Sequence, residues 1–295
     1  MANLKEVRNR IVSVSSTQQI TSAMKMVSAA KLRRAQDAVT QMRPYAKKLK
    51  DILENLSANL DSSEGSFSKQ REIKNVLLVV ITSNRGLCGG FNANVIKAAN
   101  RLSREEYKGA KISILSIGKK GADYFKKTDH GIMGSDLPRG LNELFDNLIF
   151  KNVAPVAEKV LQTFATEQFD RIDLIYNQFK NAAVQITVVE QFLPVMPPAQ
   201  IEKGKTNKNV DFIFEPDKAQ IVQDLIPLSL KTQLFKALLD SLASEHGARM
   251  TAMHKATDNA GSLIKELKLT YNKARQAAIT NEILEIVGGA EALNG

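Results

Sequence analysis

Tryptophan is absent from this sequence and cysteine and long apolar runs are scarce, and the last two scarcities each exclude a class of protein. Cys88 is the one cysteine among 295 residues, which excludes a disulfide within the chain. No stretch approaches the roughly 18 apolar residues that cross a bilayer, and residues 1–10 lack the apolar core of a signal peptide. We therefore expect neither a disulfide-stabilised secreted protein nor a membrane-spanning one.

Ligands for metal ions are scarce as well. The three histidines, His130, His246 and His254, are scattered, and the closest two are eight positions apart, too far to share a metal. Paired carboxylates such as Glu105 with Glu106 have no spacing that suggests acid–base catalysis. We therefore predict no metal site, no cofactor and no catalytic residue.

Positive charge is plentiful, since the formal net charge is +10. Residues 1–60 hold eleven basic and four acidic residues, so most of the surplus lies on the N-terminal segment. Such a charge implies an acidic partner, which could be nucleic acid, a membrane surface or an acidic protein segment, and composition does not choose among them. The segment lacks the interleaved aromatic residues that stack on bases, which favours helix packing over nucleic-acid binding.

The N-terminal segment is predicted to form one long helix from Asn3 to Leu60. No proline or glycine occurs before Pro44, which is expected to bend the helix only slightly. At ~1.5 Å per residue, such a helix is too long to lie inside a globular domain. Apolar and small residues set the helical period, at Leu4, Val7, Ile11, Val14, Ile20, Met24, Val27, Leu32, Ala35, Val39 and Met42.

The C-terminal segment has the 3.5-residue period of a coiled coil, and eleven of its fifteen seam positions are apolar. The N-terminal helix is the expected antiparallel partner, and a homodimeric coiled coil is the alternative. Pro227 is expected to kink or begin this helix, and Gly288 with Gly289 to end it. The seam positions are Phe235, Leu239, Leu242, His246, Arg249, Met253, Ala256, Ala260, Leu263, Leu267, Thr270, Ala274, Ala277, Asn281 and Leu284.

Between these helices the pattern changes to that of an α/β domain. A polar hinge at 61–72 precedes it, and a Lys/Asn/Gly-rich turn at 204–209 with a short strand at 211–214 follows it. We predict an α/β fold: a long antiparallel two-helix coiled coil with an inserted open, Rossmann-like domain, and segments 1–60, 73–200, 201–216 and 217–295. Strands are predicted at 76–82, 111–117, 172–176 and 185–192, and helices at 92–107, 123–127 and 141–169.

The strongest local motif is Thr82 to Asn92, TSNRGLCGGFN, placed between the first strand and its following helix. Ligands usually bind open α/β sheets at this position. The motif lacks both the Gly-x-Gly-x-x-Gly spacing and the Gly-Lys-Ser/Thr ending of phosphate loops. Its glycines instead permit positive φ and close approach by a partner's backbone. A nucleotide site therefore stays open, but a structural or protein-contact turn is favoured.

Three segments together resemble the γ subunit of the F-type ATP synthase family. They are ITSAMKMVSAAKL at 20–32, the loop at 83–92, and the stretch from RMTAM at 249–253 through ATDNA at 256–260 to YNKARQA at 271–277. The resemblance runs from end to end of the chain. Asn84 stands where the family often has aspartate, and Gly247 where a better helix former would be expected. The cysteine-pair insertion of chloroplast members is missing, so thiol regulation is not expected.

The resemblance implies a non-catalytic rotor, present in one copy per complex. Its paired helices would turn inside a ring of three α and three β subunits, with the α/β domain standing on the c ring and the ε subunit packed against it. Proton-driven rotation would present a different face to each β subunit in turn and bias its nucleotide site. The chain itself would bind no nucleotide. It would meet the bacterial inner membrane only through the c ring, on the cytoplasmic side.

Residue roles follow from the same resemblance, with two other functions kept as alternatives: a nucleotide-binding α/β enzyme and a basic coiled coil that binds nucleic acid. The turn at 204–209 is a candidate foot on the c ring. Coupling contacts with β subunits are implied for Met24, Arg249, Gln276, Thr280 and Glu282. Lys25, Lys31, Arg33 and Arg34 are expected, on electrostatic grounds, to face acidic β-subunit segments. The collar loop would be Arg85, Gly86, Leu87, Cys88, Gly89 and Gly90, and the tip in an apolar bearing Ala290, Glu291, Ala292, Leu293 and the two residues that follow.

Overall fold

The computed structural model describes residues 4–57, 67–128, 137–138, 140–195 and 218–294. The chain divides into two compact units. Met1–Ala29 and Arg249–Gly295 form the paired-helix unit, and Ala30–Ala248 form the sheet unit. Among the described helices, none combines the length and apolar character needed to span a bilayer.

The terminal helices are long, as predicted. Helix α1 covers Leu4–Ser57 with Pro44 inside it. Helix α5 covers Lys218–Asn294, so Pro227 lies within it and is not its first residue. The prediction that Gly288 and Gly289 end this helix is wrong. Glycine weakens a helix by about 1 kcal/mol but does not forbid it, and the alanines and leucine that follow favour its continuation.

The paired-helix unit confirms that the two termini associate antiparallel within one chain. Thr21 Oγ1 on α1 lies 2.8 Å from Thr257 Oγ1 on α5, and the two hydroxyls share a hydrogen bond. Gln18, one turn earlier on α1, faces Gly261, one turn later on α5. Residue numbers at these contacts therefore rise along α5 as they fall along α1, which is the antiparallel arrangement. The shared hydroxyl bond is directional, so it fixes the register of the pair.

The inner face of α1 does not include all of the apolar residues that set its predicted helical period. Ile20 and Val27 are 60% and 57% exposed, whereas Thr21 and Ser28 are buried. The buried Thr21 and Ser28 and the partly buried Gln18 and Lys25 continue the heptad that begins at Leu4. The apolar residues Ile20, Met24 and Val27 do not lie on this heptad. Small polar side chains can occupy the inner face because their hydroxyls bond to each other or to the helix, as Ser28 Oγ does to the Met24 carbonyl at 2.7 Å.

The seam predicted on α5 is confirmed in its first part and shifts in its last. Met253 and Ala260 are buried, while Thr270 and Ala277 are exposed. Their neighbours Tyr271 and Ala278 are the less exposed residues there. A strict 3.5-residue step loses ~20° per heptad against a straight α-helix, so the covered stripe moves forward by one residue. Asn281 and Leu284 are also exposed, as is every residue from Ile279 to Ala290.

The sheet unit contains a four-stranded sheet in the order β2-β1-β3-β4. Its strands are β1 (Asn75–Ile81), β2 (Lys111–Ile117), β3 (Arg171–Phe179) and β4 (Gln185–Leu193). The first three are parallel, and β4 pairs antiparallel with β3. All four strands were predicted, because each is a run of β-branched and apolar residues of strand length. The open α/β domain is therefore confirmed.

Helices cover both faces of the sheet. They are α2 (Phe91–Glu105), α3 (Lys119–Phe125) and α4 (Phe150–Ala165). Leu77 and Val79 lie in a core with α4 and the start of α5, and Val76 and Leu78 in another with α2 and α3. The single helix predicted at 141–169 is wrong: a short 3-10 helix at Glu143–Phe145 precedes α4, and extended backbone at Ile149 separates them.

Several predictions fall outside the described residues. These are the first half of the hinge at 61–72, the foot turn at 204–209, and the strand at 211–214, with the whole segment 201–216. The four-segment division of the chain therefore stays a prediction.

Gly247 explains one departure from the family pattern. A Cβ at this position would lie 3.1 Å from the Ala182 carbonyl oxygen and 3.3 Å from Ala182 Cα, both in the β3–β4 turn. The turn is held by Asn181, whose Oδ1 accepts from the backbone N–H groups of Ala183 and Val184. Glycine is therefore used here for close approach of a helix to backbone, at some cost in helix propensity.

We expect Gly247→Ala to lower the free energy of unfolding by about 1–2 kcal/mol, because the rigid turn must move to admit the methyl group. Gly261→Ala is the matched control in the same helix, since its Cβ would meet only the end of the Gln18 side chain, at 3.0 Å. That side chain can rotate, so the gain in helix propensity, up to ~1 kcal/mol, should dominate. Urea unfolding of the two full-length variants measures both. Equal changes in the free energy of unfolding for the two variants would show that the contact with Ala182 is not what requires glycine at 247.

Candidate partner-contact sites

The loop after β1 is built on one side-chain network. Ser83 Oγ donates to the Arg85 carbonyl at 2.7 Å. Asn92 Nδ2 donates to Ser83 Oγ at 2.8 Å and to Cys88 Sγ at 3.2 Å. The Ser83 N–H in turn donates to Asn92 Oδ1 at 2.9 Å. The first turn of α2 therefore holds both ends of the loop in place.

The loop after β1 packs against other parts of the sheet unit. Cys88 and Phe91 form a buried cluster with Ala248 of α5, and Asn177 Nδ2 from β3 donates to the Phe91 carbonyl at 2.9 Å. Beside it, Gly121 N–H donates to Thr82 Oγ1 at 2.8 Å, which draws α3 onto the end of β1. This arrangement favours the interpretation of the motif as a structural or contact turn. It also explains Cys88 as a small packed residue.

The tip of the loop holds Leu87 outward. Its side chain is 65% exposed, and its φ of 62° is in the left-handed region, which is costly for a residue with a bulky side chain. Cys88, the next residue, points inward, and Gly89 is again left-handed, at 60°. Arg85, Gly89 and Gly90 are also exposed. The network therefore sustains a strained loop whose apolar tip has no cover within the described residues.

Asn84 uses both ends of its amide. Its Nδ2 donates to the Asn142 carbonyl at 2.7 Å, and its Oδ1 accepts from the Lys119 N–H at 3.0 Å. An ionised aspartate could make the second bond but not the first. The departure from the aspartate common in the family therefore fits the local hydrogen bonding of this chain.

The coupling residues predicted on the long helices differ in exposure. Lys31, Arg33, Arg34, Gln276 and Glu282 are exposed, and Met24 and Lys25 are partly exposed. Thr280 is exposed, and its hydroxyl donates to the Gln276 carbonyl of its own helix at 2.9 Å. Arg249 is only 8% exposed and has interactions of its own within the chain. Any contact that Arg249 makes with a partner thus involves a side chain already packed in this molecule.

Sequence reasoning missed an outward apolar surface on each long helix. On α1, Ile20 and Val27 lie one heptad apart and therefore on one side. On α5, Ile279, Ile283 and Ile286 follow each other at four and three residues and are 48%, 55% and 71% exposed. The signal was present as helical spacing: Ile20 and Val27 belong to the apolar period of α1, and Ile279, Ile283 and Ile286 lie outside the predicted seam of α5. Ala290 is exposed, and the tip side chains from Glu291 onward lie outside the described residues.

Two buried carboxylates in the sheet unit contrast in their partners. Asp173 on β3 accepts from the Tyr107 hydroxyl and pairs with Arg171 Nε at 3.1 Å. Asp240 on α5 is 2% exposed, and no described residue donates to its Oδ1. Burial raises the pKa of both carboxyls. For Asp240, Lys236 and Arg43 oppose that rise in pKa, and Glu190 adds to it.

A raised pKa in the folded state means that Asp240 costs stability once it ionises, above its folded pKa, and that this cost disappears as pH falls below its unfolded pKa. Asp240→Asn is therefore expected to be more stable than wild type at neutral pH, by on the order of 1 kcal/mol, with the difference vanishing in acid. Asp173→Asn is the control and should destabilise, because it weakens two satisfied bonds. Urea unfolding between pH 4 and 8 measures both, and a pH-independent difference for Asp240→Asn would contradict the argument.

No group of three or more His, Cys, Asp or Glu side chains able to hold a metal ion occurs among the described residues. The site that remains is a set of surfaces: the strained loop tip of the sheet unit, and the exposed apolar and charged faces of α1 and α5. Together with the fold, these define the class: a protein of two paired terminal helices and an inserted α/β domain, both with exposed apolar or charged surfaces of the kind that other chains can cover.

Comparison with known proteins places this class more narrowly. Residues 3–293 match the sequence profile of the ATP synthase family. The chain is 61% identical to the ATP synthase gamma chain of Flavobacterium johnsoniae and 60% identical to that of Christiangramia forsetii, each across 100% of both chains. The chain therefore belongs to the ATP synthase gamma chain family, the central-stalk rotor subunits of F-type ATP synthases.

Solved structures agree in fold. A central-stalk/c-ring structure of the Tetrahymena thermophila mitochondrial ATP synthase matches with TM-score 0.58 and 26% identity, covering 80% of this chain and 99% of that one. A chain of the Euglena gracilis mitochondrial ATP synthase matches with TM-score 0.66 and 23% identity, covering 98% and 94%. The paired terminal helices and inserted sheet are thus shared, and nothing in the comparisons supports the nucleic-acid alternative.

Proposed function

We propose that this chain is the non-catalytic rotor of its ATP synthase and transmits torque between the c ring and the catalytic β subunits. One copy turns in each complex, with its paired helices inside a ring of three α and three β subunits. The single observation that carries the proposal is the distribution of side chains on α1. Polar Thr21 and Ser28 are covered by the chain itself, while apolar Ile20 and Val27 face outward.

Such a distribution fits a helix with two contact sides, one covered by its partner helix in the same chain and the other by a surrounding protein. An exposed apolar surface of this kind marks a protein interface in a chain that must fold before it assembles. The exposed apolar positions Ile279, Ile283 and Ile286 near the end of α5 extend the same argument toward the tip. We assign the residues from Ala290 onward, with Glu291, Ala292 and Leu293, to the bearing in the ring.

The coupling roles are assigned by the same reasoning. Exposed Gln276, Thr280 and Glu282 are hydrogen-bonding groups for the β subunits, and Met24 is a neighbouring apolar contact. Lys31, Arg33 and Arg34, exposed within a single turn of α1, and partly exposed Lys25 face acidic β-subunit segments. Arg249 acts through its packing within the chain as much as through a partner contact, since it is buried here.

The strained loop with Leu87 at its tip forms the collar against the lower surface of the β subunits. The ε subunit packs on the α/β domain, which rides on the c ring, so the chain is peripheral to the cytoplasmic side of the bacterial inner membrane. Rotation presents unlike faces of α1 and α5 to each β subunit in turn. Because each face makes different contacts, it shifts that subunit between open and closed nucleotide sites.

Affinity purification of a tagged full-length chain from its own cells tests this function. The expected result is co-purification with α, β, ε and c subunits at one copy per three β, with ATPase activity in the complex and none in the chain alone. Retention of nucleotide by the isolated chain would instead support an α/β enzyme. Binding to random DNA that persists in the presence of α and β subunits would support the nucleic-acid alternative.

Single substitutions in the assembled complex then test the coupling roles. Gln276→Ala and Glu282→Ala are expected to lower ATP-driven proton pumping more than ATP hydrolysis, because they remove exposed contacts without disturbing the fold of the chain. Asn272→Ala, exposed one turn before Gln276, is the control. If both activities of all three variants equal those of wild type, the assignment of Gln276 and Glu282 is incorrect.

A further inference from the structure

A second concentration of positive charge lies in the sheet unit, apart from the basic N-terminal segment. Residues 91–127 hold nine basic and three acidic residues, a net charge of +6. All nine basic side chains are exposed. None of them forms an ion pair with another residue of the described part of the chain. The fold itself therefore leaves these charges unbalanced.

Three of these charges form a ridge along α2. The helix buries Val95, Ala99 and Leu102 against the sheet. Lys97, Arg101 and Arg104 each follow one of these buried residues by two positions, or about 200° around the helix. The cations therefore line the side of α2 directly opposite its buried stripe, pointing away from the domain.

Helix α3 extends this surface. Asn100 Nδ2 on α2 donates to the Tyr124 hydroxyl on α3 at 3.0 Å, and Phe125 joins the same core cluster as Val95. The two helices thus lie side by side on one face of the sheet. We call the surface formed by Lys97, Arg101, Arg104, Lys119, Lys120 and Lys126 the basic face.

The opposite side of the domain shows that this charge is not a general property of its helices. Residues 150–166, which include α4, carry two basic residues and one acidic residue, and that acid, Glu158, pairs with Lys231 at 3.3 Å. Like charges crowded without counter-charges destabilise a folded domain through their mutual repulsion. A retained, unpaired set on one face is therefore best accounted for by an anionic partner.

We propose that the basic face binds an acidic segment of another polypeptide of the assembled complex; this rests on the proposed function only in that the partner belongs to the same complex. Carboxylates suit the arginines, whose planar donors pair with them in bidentate geometry. A helix that inserts into a membrane surface needs an exposed apolar side, and the one large apolar residue exposed in this described stretch is Tyr124. A surface that binds single-stranded nucleic acid usually carries several exposed aromatic rings on which bases stack. In this part of the described chain the one exposed ring is that of Tyr124, and its hydroxyl already accepts a hydrogen bond from Asn100.

The test uses a photo-cross-linking amino acid in place of Ala93, exposed one turn before Lys97, in the intact complex in its own membranes. The control carries the same group in place of Gln162, exposed on α4. We expect cross-linking from position 93 to an acidic stretch of a partner polypeptide, and a yield that falls about tenfold at high ionic strength applied before illumination. Lys97→Glu with Arg101→Glu and Arg104→Glu should lower the yield by a similar factor.

Lys151→Glu with Lys159→Glu and Lys180→Glu is the matched charge control, and it should leave the yield unchanged. Subunit composition and ATPase activity are measured on the same samples, so loss of assembly is distinguished from loss of this contact. An intact complex that yields no cross-linked polypeptide, yields cross-linked lipid or nucleic acid, or cross-links equally after charge reversal would overturn the proposal.

Discussion

Replacing Gly118 by alanine is expected to destabilise the sheet unit by more than about 4 kcal/mol, among the largest effects for a single added methyl group. Gly118 follows β2 with φ of 104°, and a Cβ there would lie 2.1 Å from the Thr82 carbonyl oxygen and 2.7 Å from its carbon. These are backbone atoms at the end of β1, where Thr82 N–H donates to the Ile117 carbonyl at 2.8 Å. Neither strand can move without breaking the parallel ladder.

Gly109→Ala separates the steric clash from the backbone strain. Gly109 has a similar φ of 95°, but nothing lies within 4 Å of its added Cβ. This variant should therefore lose only the ~1–2 kcal/mol of a residue forced to positive φ. Urea unfolding of the full-length chains compares the two, and hydrogen exchange at β1 and β2 locates the damage. Equal destabilisation by the two substitutions would show that the contact with Thr82 is not what requires glycine at 118.

Much of the architecture could be predicted from the sequence because it depends on apolar patterning. The runs at 76–82 and 172–176 have strand length and β-branched residues, and they became the central parallel strands. The terminal segments have helical periods too long for a domain interior, and they paired with each other. In each case one physical cause, burial of apolar surface, decides the local structure and the packing alike.

The candidate site was harder to predict because it breaks that rule. On α1 the covered positions are Gln18, Thr21 and Ser28, and apolar Ile20 and Val27 face out. A method that places apolar residues inside assigns such a helix the wrong inner face. Under the proposed function the cause lies outside the chain, in partners that would cover this outer surface, and helical spacing alone does not say which side of a helix a partner covers.

Close approaches were also beyond sequence reasoning. Gly247 weakens a long helix and is explained only by the Ala182 backbone against it. Arg249, expected at a partner surface by resemblance, is buried in this chain. Both depend on contacts between residues distant in sequence. By contrast, the position of the loop at 82–92 after the first strand could be read from its sequence, because its glycines are local features; its role as a contact with a partner stays a prediction.

The largest functional effect is expected from charging the outward side of α1. Ile20→Glu with Val27→Glu should leave the isolated chain folded, because the two side chains are 60% and 57% exposed and contribute little to its core. Inside a surrounding ring, each carboxylate would lose its water without gaining a partner, which costs several kcal/mol. We expect assembly with α and β subunits to fall by on the order of 100-fold, and ATP-driven proton pumping to be lost with it.

Thr17→Glu with Gln19→Glu adds the same two charges to exposed polar positions of the same helix and is the control. Co-purification with α and β subunits and circular dichroism of the free chain are measured for both double variants. The control should assemble far better than the variant with Ile20 and Val27 replaced, since polar side chains already face outward at its positions. Equal assembly of the two would mean that the apolar residues on this side of α1 do not face a protein, and the assignment of the helix to the inside of the ring would fail.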